Sequence, residues 1–115
     1  MPAPTRRGIL SAMAIAPVVI AAPAVSANSD WVRVHRAWVE AHSRVQRFNK
    51  IGVADATMDD ACEREGDALA ALIAAPAPNG AAVGSKITAL LSYHEGGVVP
   101  ERDLALIAQD AARLA

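Results

Sequence analysis

Five residues of the 115-residue chain place chemically versatile side chains on or beside apolar helical faces: His35, His42, Cys62, Glu65 and His94. Glu65 is the sharpest case. At about 100° per residue, the segment Asp55–Ile73 (DATMDDACEREGDALAALI) sets Met58, Cys62, Leu69, Leu72 and Ile73 on one apolar stripe. Glu65 falls in the middle of that stripe, whereas Asp59, Asp60, Glu63 and Asp67 fall on the opposite, solvated side. A carboxylate at the centre of a core face is costly unless it is protonated or finds a donor.

The histidines offer such donors. His35 and His42 are seven residues apart beside Trp31 and Trp38, and His94 ends an apolar stripe further on. A separation of seven is about 10.5 Å along a helix, too far for both rings to hold one ion unaided. The H-E-x-x-H zinc spacing is absent. An antiparallel turn near Gly52-Val53 sets Glu65 opposite Ala41 and His42, and Cys62 opposite Arg44 and Val45. Folding back again at Pro76-Ala77-Pro78 brings His94 level with Asp60.

Three readings of this constellation stand side by side. Glu65 and His42 form a structural hydrogen bond, with His94 and Cys62 unrelated. Alternatively, Glu65 sits at a seam, reaching outward or meeting a partner chain. In the third, His42, Glu65, His94 and Cys62 together bind a metal ion or small ligand, all four being side-chain types that zinc accepts. No local spacing assigns a catalytic residue, a metal site or a cofactor. Cys62 lies mid-stripe, where a buried thiol is inert.

The elements that must position these residues read as helices throughout. Helix one starts at Asn28 or Ser29, both N-cap types, and carries Trp31, Val34, Trp38, Ala41, Val45 and Phe48 at alternating three- and four-residue steps. Arg33, Arg36, Glu40, Arg44 and Arg47 form its opposite face. Helix two spans Ala56 to Ala74, with Gly66 inside it as a point of close helix approach; Pro76 and Pro78 stop it. Helix three follows the cap Asn79, with Val83, Ile87, Leu90 and His94 inward, and stops at Gly96-Gly97. Helix four is initiated by Pro100, with Leu104, Ile107, Ala111 and Leu114 inward and Leu106 pointing away.

Ahead of helix one stands an apparent address. Thr5-Arg6-Arg7-Gly8-Ile9-Leu10 has the S/T-R-R-x-hydrophobic-Leu pattern of a twin-arginine signal. An uncharged, alanine-rich stretch follows to Val25-Ser26-Ala27, whose small residues suit signal peptidase. Residues 1–27 are therefore expected as a signal segment and 28–115 as one domain. The alternatives are an uncleaved leader serving as a membrane anchor, or a cytoplasmic protein.

Composition narrows the functional classes. A net charge of −1 lacks the basic excess of a nucleic-acid-binding protein. A single cysteine rules out an internal disulfide and a C-x-x-C motif. The abundance of alanine, with aromatic residues at 3%, suits thin, closely packed helices.

The leader TRRGILSAMAIAP, the tryptophan-bearing first helix, the segment ALAALIAAPAPNGAAVGSKITALL and the closing ERDLALIAQDAARLA carry a resemblance over most of the chain. On these features it resembles a group of small uncharacterised alphaproteobacterial proteins with twin-arginine leaders. The resemblance implies a helical fold and export, and no activity.

The expectation is an all-α protein: a small up-and-down bundle of three to four helices behind a cleavable N-terminal signal segment. Its expected role is that of a non-enzymatic module exported to the periplasm, acting through contact with a protein partner or through self-association by its tryptophan stripe. The alternative is a periplasmic metal- or small-ligand-binding bundle using the interior His and Glu residues. Contact with a membrane is expected only through an uncleaved leader.

Overall fold

A computed structural model describes the backbone from Ala16 to Ala115 and side chains from Asn28 onward. Four helices follow one another: α1 (Ala16–Ile51), α2 (Asp55–Ala74), α3 (Gly80–His94) and α4 (Glu101–Leu114). They form a helical bundle, and no strand occurs among the described residues. The twin arginine Arg6-Arg7 lies outside those residues. Among them, no helix is long and apolar enough to cross a membrane.

α1 begins well upstream of the expected cap. Asn28 and Ser29 are interior helix positions, since the helix already runs from Ala16. Pro17 falls in the first turn, where its missing N–H has no intrahelical partner to lose. At the other end the chain reverses through Gly52, whose φ of 75° is the left-handed conformation open to glycine; its N–H donates to the Phe48 carbonyl at 2.9 Å.

The tryptophan stripe of α1 is the core. Trp31, Val34, Trp38, Ala41 and Val45 are all buried, and the first three share one cluster with Leu69, Leu72 and Ile73 of α2. Burying such side chains stabilises by roughly 1.5–3 kcal/mol for each large aliphatic residue. α2 differs from expectation at one position: Ala61 is buried and Cys62 is exposed. The acidic face of Asp59, Asp60, Glu63 and Asp67 is exposed, as the pattern indicated.

The cap of α3 is Asn79, whose Oδ1 accepts from the Ala82 N–H at 2.9 Å. Its stop is Glu95, not glycine, in the left-handed region at φ 47°, followed by Gly96 at φ 83°. The inward face of α3 is also not the expected one. Ala82, Lys86, Ala89 and Leu90 are buried, while Ile87 is 43% exposed. The helix is turned by about one residue, roughly 100°, from an all-apolar face. α4 shows the same kind of departure. Ile107 and Asp110 are buried and Leu106 packs against the core, whereas Leu104 is 51% exposed and Ala111 and Leu114 face solvent.

Both departures have one cause. Lys86 of α3 and Asp110 of α4 meet inside the bundle with Nζ and Oδ2 2.5 Å apart, and each helix is rotated to bring its charged residue inward. Lys86 Nζ also donates to the Ile73 carbonyl at 2.9 Å and the Ala75 carbonyl at 2.5 Å, at the C-terminal end of α2. An ammonium has three protons, and all three are used. Asp110 Oδ1 accepts from the Ala77 N–H at 3.2 Å and from Arg113 at 2.8 Å, and Arg113 also donates to the Ala77 carbonyl at 2.8 Å. This network ties the end of α2, the proline-bounded loop, α3 and α4 together. The Lys86 ammonium completes the link to α1, lying 5.9 Å from the centre of the Trp31 ring.

Candidate functional site

Of the sequence-derived candidates, the structure joins two. His42 Nδ1 and Glu65 Oε2 are 2.7 Å apart, linking α1 to α2 at the level that the antiparallel register indicated. Glu65 is buried and the His42 side chain is 25% exposed. The imidazole stacks on Trp38 with ring centres 4.7 Å apart and planes 16° from parallel. Trp31 and His35 repeat the arrangement seven residues earlier, at 5.5 Å and 23°. Helical spacing of i and i+4 produces both stacks.

The remaining candidates are elsewhere. Cys62 is exposed on α2. His94 is turned toward α2 and α4, where it lines a separate pocket of about 180 Å³ with Gly66, Leu69, Tyr93, Arg102 and Asp103 among others. Its Nε2 is buried without a hydrogen-bond partner. The Tyr93 hydroxyl lies 3.4 Å from where a Cβ on Gly66 would stand, an ordinary contact distance, so the packing does not itself demand glycine there. No group of three or more His, Cys, Asp or Glu residues among the described residues is arranged to hold a metal ion. The four-residue site of His42, Glu65, His94 and Cys62 is therefore not assembled as a metal site. Only its hydrogen-bonded pair is.

Sequence reasoning missed the Lys86–Asp110–Arg113 network, although one signal was present. Lys86 is the only Asp, Glu, Lys or Arg in α3, GAAVGSKITALLSYH. Its helical neighbours Ala82, Ala89 and Leu90 are small or apolar, so it stood on a face that could also be buried. Burial works to raise the Asp110 carboxyl above its ordinary value. Hydrogen bonds from Lys86 and Arg113, followed by that from the Ala77 N–H and by the Lys86 charge, more than offset burial and hold it below that value. With every ammonium proton engaged and Lys86 1% exposed, this network is structural.

Burying Lys86 has a consequence at the surface: the exposed face of α3 carries no formal charge. Gly80, Ala81, Gly84, Ile87, Thr88, Leu91 and Ser92 are all exposed there. Between this face and α1 runs a groove of about 520 Å³, lined by His35, Trp38, Val39 and His42 on one wall and by Ala81, Gly84, Ser85, Thr88, Ala89 and Ser92 on the other. No Cα of α1 comes within 8 Å of a Cα of α3 among the described residues, so the groove separates two helices that do not close on each other. Not one Asp, Glu, Lys or Arg lines it. The shallow pocket between α1 and α2 is the contrast, since Glu40, Arg44, Arg64 and Asp67 all line that one. Compared with protein families, with curated proteins and with solved structures, the chain matches none of them.

Proposed function

We propose that this chain is a non-enzymatic helical module, exported behind its N-terminal leader, that acts by protein–protein contact. Its contact surface in this reading is the α1/α3 groove, and its occupant is a helix with an uncharged face of small and branched apolar side chains. The observation that carries the reading is that no Asp, Glu, Lys or Arg lines that groove, in a chain of which 20% is charged. Loss of charged residues is what distinguishes the centre of a protein interface from ordinary surface. The wall of small residues on α3 lets a neighbouring backbone approach closely, and Trp38 with Val39 supplies apolar area opposite it. Helices recognised in this way lay one apolar face into a groove.

Export is supported by the sequence Thr5-Arg6-Arg7-Gly8-Ile9-Leu10 and by Val25-Ser26-Ala27, together with the resemblance of the leader to those of small twin-arginine-exported proteins. A photo-crosslinking residue, p-benzoylphenylalanine, placed at Thr88 in the producing cell tests the contact reading. Glu63, on the solvated face of α2, is the control position. A discrete adduct from Thr88 and none from Glu63 is the expected result. No adduct from Thr88, or equal adducts from both, refutes it. Mass spectrometry of the same sample reports whether the chain begins at Asn28, as export with cleavage requires.

A further inference from the structure

We infer that the α1/α3 groove is a pH-gated contact surface, holding its occupant while His35 is neutral and releasing it when His35 takes up a proton. This pH dependence rests on the contact reading above and adds its regulation. The chain has three histidines, and two of them, His35 and His42, line the groove. The third, His94, lines the separate pocket between α2 and α4. With no Asp, Glu, Lys or Arg in the lining, His35 and His42 are the only lining groups of a type that changes charge between about pH 5 and 8. The lining is uncharged while both rings are neutral and carries charge once one is protonated.

The two rings are not equivalent. His42 Nδ1 stands 2.7 Å from Oε2 of the buried Glu65, so a proton on His42 completes an ion pair whose charges offset each other. His35 is half-buried and stacked on Trp31, and among the described residues no carboxylate comes within 4 Å of it. The surrounding elements have none to lend. On α1, Asp30 is held by Arg33 at 3.7 Å, and the adjacent Arg36 is a cation on the exposed side. Glu65 of α2 is taken by His42, α3 contains no Asp or Glu, and Asp110 of α4 is taken by Lys86 and Arg113. The other charge near the Trp31 ring is also positive, the Lys86 ammonium at 5.9 Å from its centre. A proton on His35 therefore adds a cation with no counter-ion.

In the open groove water solvates that cation. Under the apolar face of a docked helix the water is gone, and an unpaired charge is costly to cover. The occupied groove thus holds the His35 proton less readily than the open one does. By linkage, contact is complete while His35 is neutral and is lost as falling pH protonates it. Only the neutral fraction is competent to bind, so each pH unit below the midpoint of the titration lowers the apparent affinity about tenfold.

The test uses the full chain with p-benzoylphenylalanine at Thr88, irradiated in extract of the producing cells adjusted to about pH 7.5 or about pH 5, on either side of the range in which histidines titrate. The parent should give its discrete adduct at the higher pH and about tenfold less at the lower. His35→Gln and His35→Phe, both uncharged and the second able to keep the stack on Trp31, should give the adduct equally at both values. His35→Arg, a fixed cation, should give little at either. Far-ultraviolet circular dichroism of every variant should equal that of the parent at both values, and a variant that fails this leaves the decision to the remaining ones. Equal adduct from the parent at both values overturns the inference. So does loss on acidification in the uncharged variants, which puts the titrating group elsewhere, and so does full adduct from His35→Arg. In each of these cases the groove remains a contact site. Absence of any Thr88 adduct from the parent at about pH 7.5 is instead failure of the contact reading, and the gate falls with it.

Discussion

Lys86→Met isolates the charge at the centre of the bundle while keeping an unbranched apolar stem of similar length. The substitution strips donors from the carbonyls of Ile73 and Ala75 and from Asp110 Oδ2. Asp110 retains Arg113 and the Ala77 N–H, so it is weakened and not abandoned. Removing one partner of a buried ion pair costs about 3–5 kcal/mol, and each unsatisfied carbonyl contributes on the scale of about 1–3 kcal/mol within the same non-additive total. An overall loss of about 3–5 kcal/mol is a large part of the roughly 5–15 kcal/mol that stabilises a small domain. It corresponds to a fall of about 12–40 °C in Tm. Urea denaturation followed at 222 nm gives the free energy, and a thermal scan gives Tm. Adding Asp110→Leu to Lys86→Met should cost less than the sum of the two single changes, since it removes the carboxylate that the first change leaves behind. Full recovery is not expected, because the Ile73 and Ala75 carbonyls remain without their donor. A loss below about 1 kcal/mol for Lys86→Met, or strictly additive effects, would refute the assignment of this pair as the element that fixes the rotation of α3 and α4.

Two further predictions concern the buried carboxylates Glu65 and Asp110. Glu65→Gln and His42→Gln should each destabilise, with a coupling energy in the range of about 0.5–3 kcal/mol in a double-mutant cycle; additivity would mean that their 2.7 Å contact contributes nothing to stability. Asp110, held below its ordinary value near 3.8, contributes stability that is fully present above that value and is lost as pH falls through the lower, folded one. The free energy of unfolding measured from about pH 6 down to pH 2 should therefore drop more steeply in the parent than in Asp110→Asn; parallel curves would contradict the direction of the shift.

Where the sequence pattern was strong, it sufficed. The α1 stripe from Trp31 to Val45 repeats over two heptads of bulky residues with arginines opposite, and only one face of such a helix can be buried. The α1–α2 register followed from the shortness of the Gly52 turn, and the His42–Glu65 contact followed from the register. Cys62 marks the limit of the same reasoning. It is next to Ala61, and in so alanine-rich a helix the smaller residue takes the closest approach to α1 and leaves the larger one outside.

The sequence by itself determined the helical class, the helix breaks at Gly52, Pro76–Asn79 and Pro100, the core face of α1 and the pairing of Glu65 with His42. Tertiary structure alone decided how α3 and α4 are turned. The apolar pattern of α3 is weak, with alanine and glycine on several sides, so hydrophobic burial there differs little between one rotation and the next. The decisive energy is long-range in sequence: Lys86 satisfies two carbonyls left open at the end of α2 and meets a carboxylate 24 residues further on. No local window contains those partners. Once that charge is drawn inward, Ile87, Leu91 and the uncharged groove are left outside, and the surface proposed for contact is the consequence of an interior ion pair.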